Sequence, residues 1–168
     1  MNLAPIFDAP LAVQIHVYTV VPAAIIGAFI LLNRKGTFLH KLLGRIWIAL
    51  MVSTSLSTFF IHSINLFYGF SPIHLLSAYV IFGAFMAIRE VRRGNIAAHQ
   101  KQVTGMYLGG IVLAGLFTFI PGRIMNEVVF DGFAFNALTD LRMIGWISAL
   151  VAGLAAFALT VLPSRLWK

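Results

Sequence analysis

The sequence predicts an all-α, polytopic integral membrane bundle of five transmembrane helices, on three observations. The chain of 168 residues is 60% hydrophobic and only 10% charged, whereas a soluble domain carries about a quarter of its residues as charges. Its mean hydropathy is +0.93. Its charges are interleaved with uncharged stretches long enough to cross about 30 Å of hydrocarbon, which takes ~20 apolar residues. Alternating lipid-facing and polar positions, the mark of a β-barrel strand, are missing.

The spans follow in order. Leu11–Leu32 forms the first helix, with Pro22 kinking it. The uncharged run Ile46–Ile88 holds two helices, separated by the turn Tyr68-Gly69-Phe70-Ser71-Pro72. Thr37 is placed to cap the second helix and Asn95, after Gly94, the fourth. The five helices therefore run over about 11–32, 38–67, 73–92, 96–121 and 142–163, in one domain spanning 1–168. Segment 123–142 is a long loop with Phe130, Phe133 and Phe135 lying on the interface or capping the bundle. The fourth helix carries Gly105, Gly109, Gly110 and Gly115, with Gly105 and Gly109 as a GxxxG pair; these glycines serve close helix packing or, in a second reading, make room for a flat cofactor. The hydroxyl residues Ser53, Thr54, Ser55, Ser57 and Thr58 make the second helix polar on more than one side, hence central.

Orientation follows from the basic residues. With the N-terminus outside, ten of them (Arg34, Lys35, Lys41, Arg45, Arg89, Arg92, Arg93, Lys101, Arg165 and Lys168) lie in inner loops and at a cytoplasmic C-terminus, against Arg123 and Arg142 outside. Trp47 and Trp167 fit an inner aromatic belt and Trp146 an outer one. The first ten residues lack the basic region of a cleaved signal peptide. A net charge of +7 in this distribution describes membrane loops and argues against nucleic-acid binding.

With no cysteine, thiolate metal sites and iron–sulfur clusters are excluded. No phosphate-binding loop, nucleophile elbow, HExxH or paired carboxylate stands in the chain, which argues against hydrolase chemistry. What remains is histidine, costly inside a bilayer and a functional-site signal by default. His16, His62 and His74 fall in one slab near the outer face, and His40 and His99 begin the second and fourth helices at the inner face. Imidazoles from facing helices are what a b-type haem requires on its two axial sides. The sequence therefore predicts one or two b haems, His40 with His99 inside and two of His16, His62 and His74 outside. Arg45, Lys101 and Arg123 would be partners for the propionates. Such a protein carries electrons between quinol and a redox partner. Two other readings stand beside it: a bundle without cofactor, or binding quinone, that serves as an accessory subunit of a larger membrane complex; and a three-His transition-metal site (Zn, Cu or Fe) formed by His16, His62 and His74.

The stretches H-K-L-L-G-R at His40–Arg45, S-P-I-H-L-L-S at Ser71–Ser77, R-R-G-N-I-A-A-H at Arg92–His99 and P-G-R at Pro121–Arg123 resemble the bacterial membrane proteins grouped as domain of unknown function 2306. The resemblance covers roughly Leu11 to Leu162 and implies a multi-pass protein of the bacterial inner membrane, without an activity attached. A looser architectural likeness is to the di-haem transmembrane cytochromes b, with His16 and His74 as the outer pair and His40 and His99 as the inner pair. His62 is surplus to that pattern; it would replace either outer ligand or accept a proton from quinol.

Overall fold

A computed structural model describes residues 3–61, 72–119 and 123–130, and among these the secondary structure is entirely helical. The short α1 (Ala4–Phe7) leads into α2 (Leu11–Leu32), followed by α3 (Phe38–Thr58), α4 (Pro72–Arg92) and α5 (Ile96–Met106). A π-helical stretch, Tyr107–Leu113, then α6 (Ala114–Thr118), continue α5, and α7 (Ile124–Phe130) follows. The expected span 142–163, Trp146, Trp167 and His62 lie outside the described residues, as do Phe133 and Phe135.

Two helices, Leu11–Leu32 and Ile73–Arg92, are long and apolar enough to cross a membrane. Their surfaces are inverted relative to a soluble protein. Leu11, Ile25 and Leu32 on α2, and Leu75, Phe82 and Phe85 on α4, are all more than 60% exposed. Contiguous bare apolar surface of that kind marks contact with lipid or a partner. The helices pack α2 on α3, α3 on α4 and α4 on α5, each against its neighbour in the chain. Five-residue and three-residue connections join α2 to α3 and α4 to α5, so these pairs are antiparallel. One end of the bundle therefore gathers Arg34, Lys35, Lys41, Arg45, Arg89, Arg92, Arg93 and Lys101, and is called the basic end below. The opposite end has Arg123 as its basic residue among the described residues.

Both connections at the basic end turn on glycine and close on a capping side chain. Gly36 and Gly94 have φ of 82° and 76°, a region that L side chains enter only with strain. Thr37 then accepts the His40 N–H through its hydroxyl at 3.1 Å, and Asn95 accepts the Ala98 N–H at 3.2 Å. These are the two caps expected from the sequence. Thr37→Ala and Asn95→Ala should each cost about 1 kcal/mol, read as a lower unfolding midpoint in detergent with helix content unchanged below it.

Four expectations are corrected. Trp47 does not sit in an aromatic belt; it is 1% exposed, in the core with Ile30, Met51, Val80 and Met106. Its ring is admitted by Gly27 of α2, where a Cβ would stand 2.6 Å from Trp47 Nε1 and from the Tyr107 ring. The second helix ends at Thr58, not at 67. There Ser57 and Thr58 turn their hydroxyls back on the Thr54 carbonyl, and Phe59, Phe60 and Ile61 bond three residues back, to Leu56, Ser57 and Thr58. Hydroxyls that bond the preceding turn loosen a helix, and the tightened turn closes it. The fourth helix is not a uniform α-helix over 96–121, since it widens to π geometry at Tyr107–Leu113, around Gly109 and Gly110. Finally, the expected loop 123–142 opens with a helix, α7, which packs on α1. Asn126 of α7 donates to the Phe119 carbonyl at 3.0 Å, and Gln14 of α2 donates to the carbonyls of Phe7 and Ala9, so both short helices are tied over the end opposite the basic one. α2 itself runs unbroken through Pro22.

Candidate functional site

At the basic end a half-open cavity of about 380 Å³ lies between α2, α3, α4 and α5. Its walls are Ile30, Ile48, Ile88, Val91, Val103 and Trp47, and two imidazoles, His40 and His99, line it together. They reach it because each stands in the first turn of a capped helix, α3 and α5, that starts at this end. Lys41 and Arg45 share the lining. Lys101 is exposed and is not part of it.

The ring of His99 has a fixed tautomer. Its Nδ1 lies 2.9 Å from the Ala87 carbonyl oxygen. A carbonyl only accepts, so Nδ1 carries the hydrogen and Nε2 of the neutral ring carries the lone pair. A metal-ligating histidine is characteristically oriented in this way, by giving its other N–H to a carbonyl. His40 is the complement: its Nδ1 is buried and has no hydrogen-bond partner among the described residues. His40 precedes the apolar run beginning at Ile46. The neutral ring is the form that coordinates a metal.

The opposite end holds a second cavity, about 400 Å³ and strongly apolar, bounded by α2, α3, α4, the π-helical stretch and α6. His16 lines it. The ring of His16 meets α3 through Nδ1, 3.3 Å from Ser57 Oγ and 3.2 Å from Thr58 Oγ1. His74 is buried but does not line this cavity; its ring is tilted 50° against that of Phe59, with centroids 5.7 Å apart. The expected propionate partner at this end, Arg123, lies over the Phe117 ring, 4.7 Å from its centroid.

The structure thus brings His40, His99 and Arg45 to one cavity, and gives His16 and His74 different surroundings. Among the described residues no group of three or more His, Asp or Glu side chains is placed to hold a metal ion; the three-His reading includes His62, outside the described residues. The hydroxyl partners of His16 were visible in the sequence only as a polar run. Seeing Ser57 and Thr58 as ligands of its ring required the packing of α2 on α3.

A family model described as Predicted membrane protein (DUF2306) matches residues 13–161. The chain belongs to that family. The match takes in all five histidines and both cavities of this DUF2306 protein, and it agrees with the resemblance read from the His40–Arg45 and Arg92–His99 stretches. Comparison with the curated proteins and with the solved structures finds no match, so the likeness to cytochromes b gains no support there.

Proposed function

We propose that this protein is a membrane-bound b-type haem protein that carries electrons, with one haem iron held between His40 and His99. The observation that carries the reading is the shared cavity: two imidazoles from different helices, and no third metal-binding side chain grouped with them among the described residues. A bare Zn or Cu ion asks the protein for three or four donors. A haem iron already has four nitrogens from its ring and asks for two. The volume points the same way, because a coordinated ion needs no space of about 380 Å³, whereas bound organic groups occupy sites of several hundred.

Each lining group then has a task. His99 holds Nε2 toward the ligand while Ala87 fixes its ring. Ile30, Ile48 and Trp47 give the cavity an apolar inner wall, and the apolar shell around a redox centre bears on its potential. Arg45 and Lys41, at the lipid–water boundary, are the charge partners for two carboxylates. The haem, when bound, supplies one-electron exchange. By the positive-inside rule the basic end faces the cytoplasm. The proposed topology is five spans with the N-terminus outside and the last at 142–163, in a bacterial inner membrane. Quinol and a redox protein are the proposed exchange partners. A second haem, at His16 with His74, is not part of the proposal.

The test is the visible spectrum and haem content of the protein purified in detergent. One haem per chain with a sharp reduced α-band is expected. Colourless protein that copurifies with a larger complex would replace this reading with that of an accessory subunit, and colourless protein holding stoichiometric Zn or Cu would replace it with a metal site.

A further inference from the structure

The cavity at the end opposite the basic one has a polarity that selects its ligand. Ser57 Oγ and Thr58 Oγ1 both donate to the Thr54 carbonyl, at 2.7 and 2.9 Å. Each hydroxyl has one hydrogen, so both are committed, and the contacts of these oxygens with His16 Nδ1 must be donated by the ring. His16 therefore carries its hydrogen on Nδ1, and the lone pair of the neutral ring is on Nε2. The other hydroxyls of the lining are committed in the same way. Thr54 donates to Thr19, Ser77 to the Ile73 carbonyl and Thr118 to the Gly115 carbonyl. Ser55 is the lining hydroxyl without such a bond among the described residues. The polar edge of an otherwise apolar, lipid-level cavity is thus dominated by acceptors. Gly115 also lines the cavity, and a Cβ there would meet nothing within 4 Å, whereas one on Gly110 would meet Val80 and Met51.

An apolar ligand that fits takes up the open space beside Gly115 and must give a hydrogen bond to His16. From this geometry we propose that the cavity binds the headgroup of a lipid-soluble quinol, one ring hydroxyl donating to His16 Nε2. A quinone, which has carbonyl oxygens and no hydroxyl hydrogen, lacks that bond. The proposal is for binding alone and does not depend on haem at the basic end.

The test uses the full chain in lipid nanodiscs and a quinol with a short alkyl tail, kept reduced under anaerobic conditions, against its oxidised form. Retention per chain above that of protein-free nanodiscs is the readout. The native protein should bind the quinol up to about tenfold more tightly than the quinone, the weight of one well-placed hydrogen bond. His16→Phe should bring the two forms level. Gly115→Phe, which fills the cavity from a position with open space around it, should remove retention of both forms and leave any haem content unchanged. Equal binding of the two forms by the native chain would overturn the proposal. So would native-like retention by Gly115→Phe, which would place the quinol among annular lipids. A colourless native protein that still prefers the quinol would refute the haem reading and leave this one standing.

Discussion

His99→Ala protein should be folded and should lose its haem. The proposed ligation gives His99 one of only two protein bonds to iron, so the variant leaves His40 as a lone axial ligand. Losing even a group that merely orients a metal-bound histidine costs 10–100-fold in affinity, and losing the ligand itself should exceed that. The fold should survive, because His99 stands in the first turn of α5, whose start is held independently by the Asn95 cap and the turn at Gly94. His99→Asn separates ligation from packing. Its amide nitrogen, at the level of the imidazole Nδ1, retains a donor for the Ala87 carbonyl and leaves no imidazole nitrogen for iron, so it should match the alanine variant in haem content and the native chain in unfolding midpoint. Haem per chain by absorbance, with circular dichroism for the fold, checks both. Native haem content in either variant would remove His99 from the site.

The second large effect is on stability. Gly27→Ala places a methyl group 2.6 Å from Trp47 Nε1 and 2.6 Å from two carbons of the Tyr107 ring. Neither ring has room to give. Trp47 is 1% exposed, and Tyr107 is anchored by its hydroxyl, which donates to the Ala24 carbonyl at 3.2 Å. Helix α2 must therefore move off α3 and the π-helical stretch. Overpacking of this kind costs roughly 1–3 kcal/mol. The unfolding midpoint in detergent should fall by several degrees, and haem retention should weaken with it, since Trp47 is a wall of the His40–His99 cavity. Gly44→Ala is the stability control, because a Cβ there meets nothing within 4 Å; its unfolding midpoint should not fall. An unaltered midpoint in Gly27→Ala would show that the three elements are packed more loosely than described.

What could be read from the chain, and what could not, divides along the range of the interactions. The Thr37 and Asn95 caps were legible because a cap is made within three residues of its own position. The first and third spans were legible because lipid solvation depends on apolar length alone. His40 and His99 were legible as a pair because both caps set their depth and the short connections set their side of the bundle. The burial of Trp47 was not legible: tryptophan near a span end ordinarily lies at the headgroups, and only Gly27, twenty residues earlier, makes an interior place for it. The end of α3 at Thr58 depends on which way the Ser57 and Thr58 hydroxyls turn, a choice among nearly equal local bonds. The π-helical turn at Tyr107–Leu113 carries no period of its own in the pattern. The different surroundings of His16 and His74 were not legible, because the chain gives depth and not azimuth. Both lie toward the same end, yet His16 turns to Ser57 and Thr58 and His74 meets Phe59.

Electron paramagnetic resonance of the purified ferric protein tests the central claim most directly, since it reports the ligands on both faces of the iron at once. The account predicts a low-spin ferric signal of bis-imidazole type, about one spin per chain, that disappears in both His40→Ala and His99→Ala. A high-spin signal, a low-spin signal that survives either substitution, or a protein that contains no iron would contradict it.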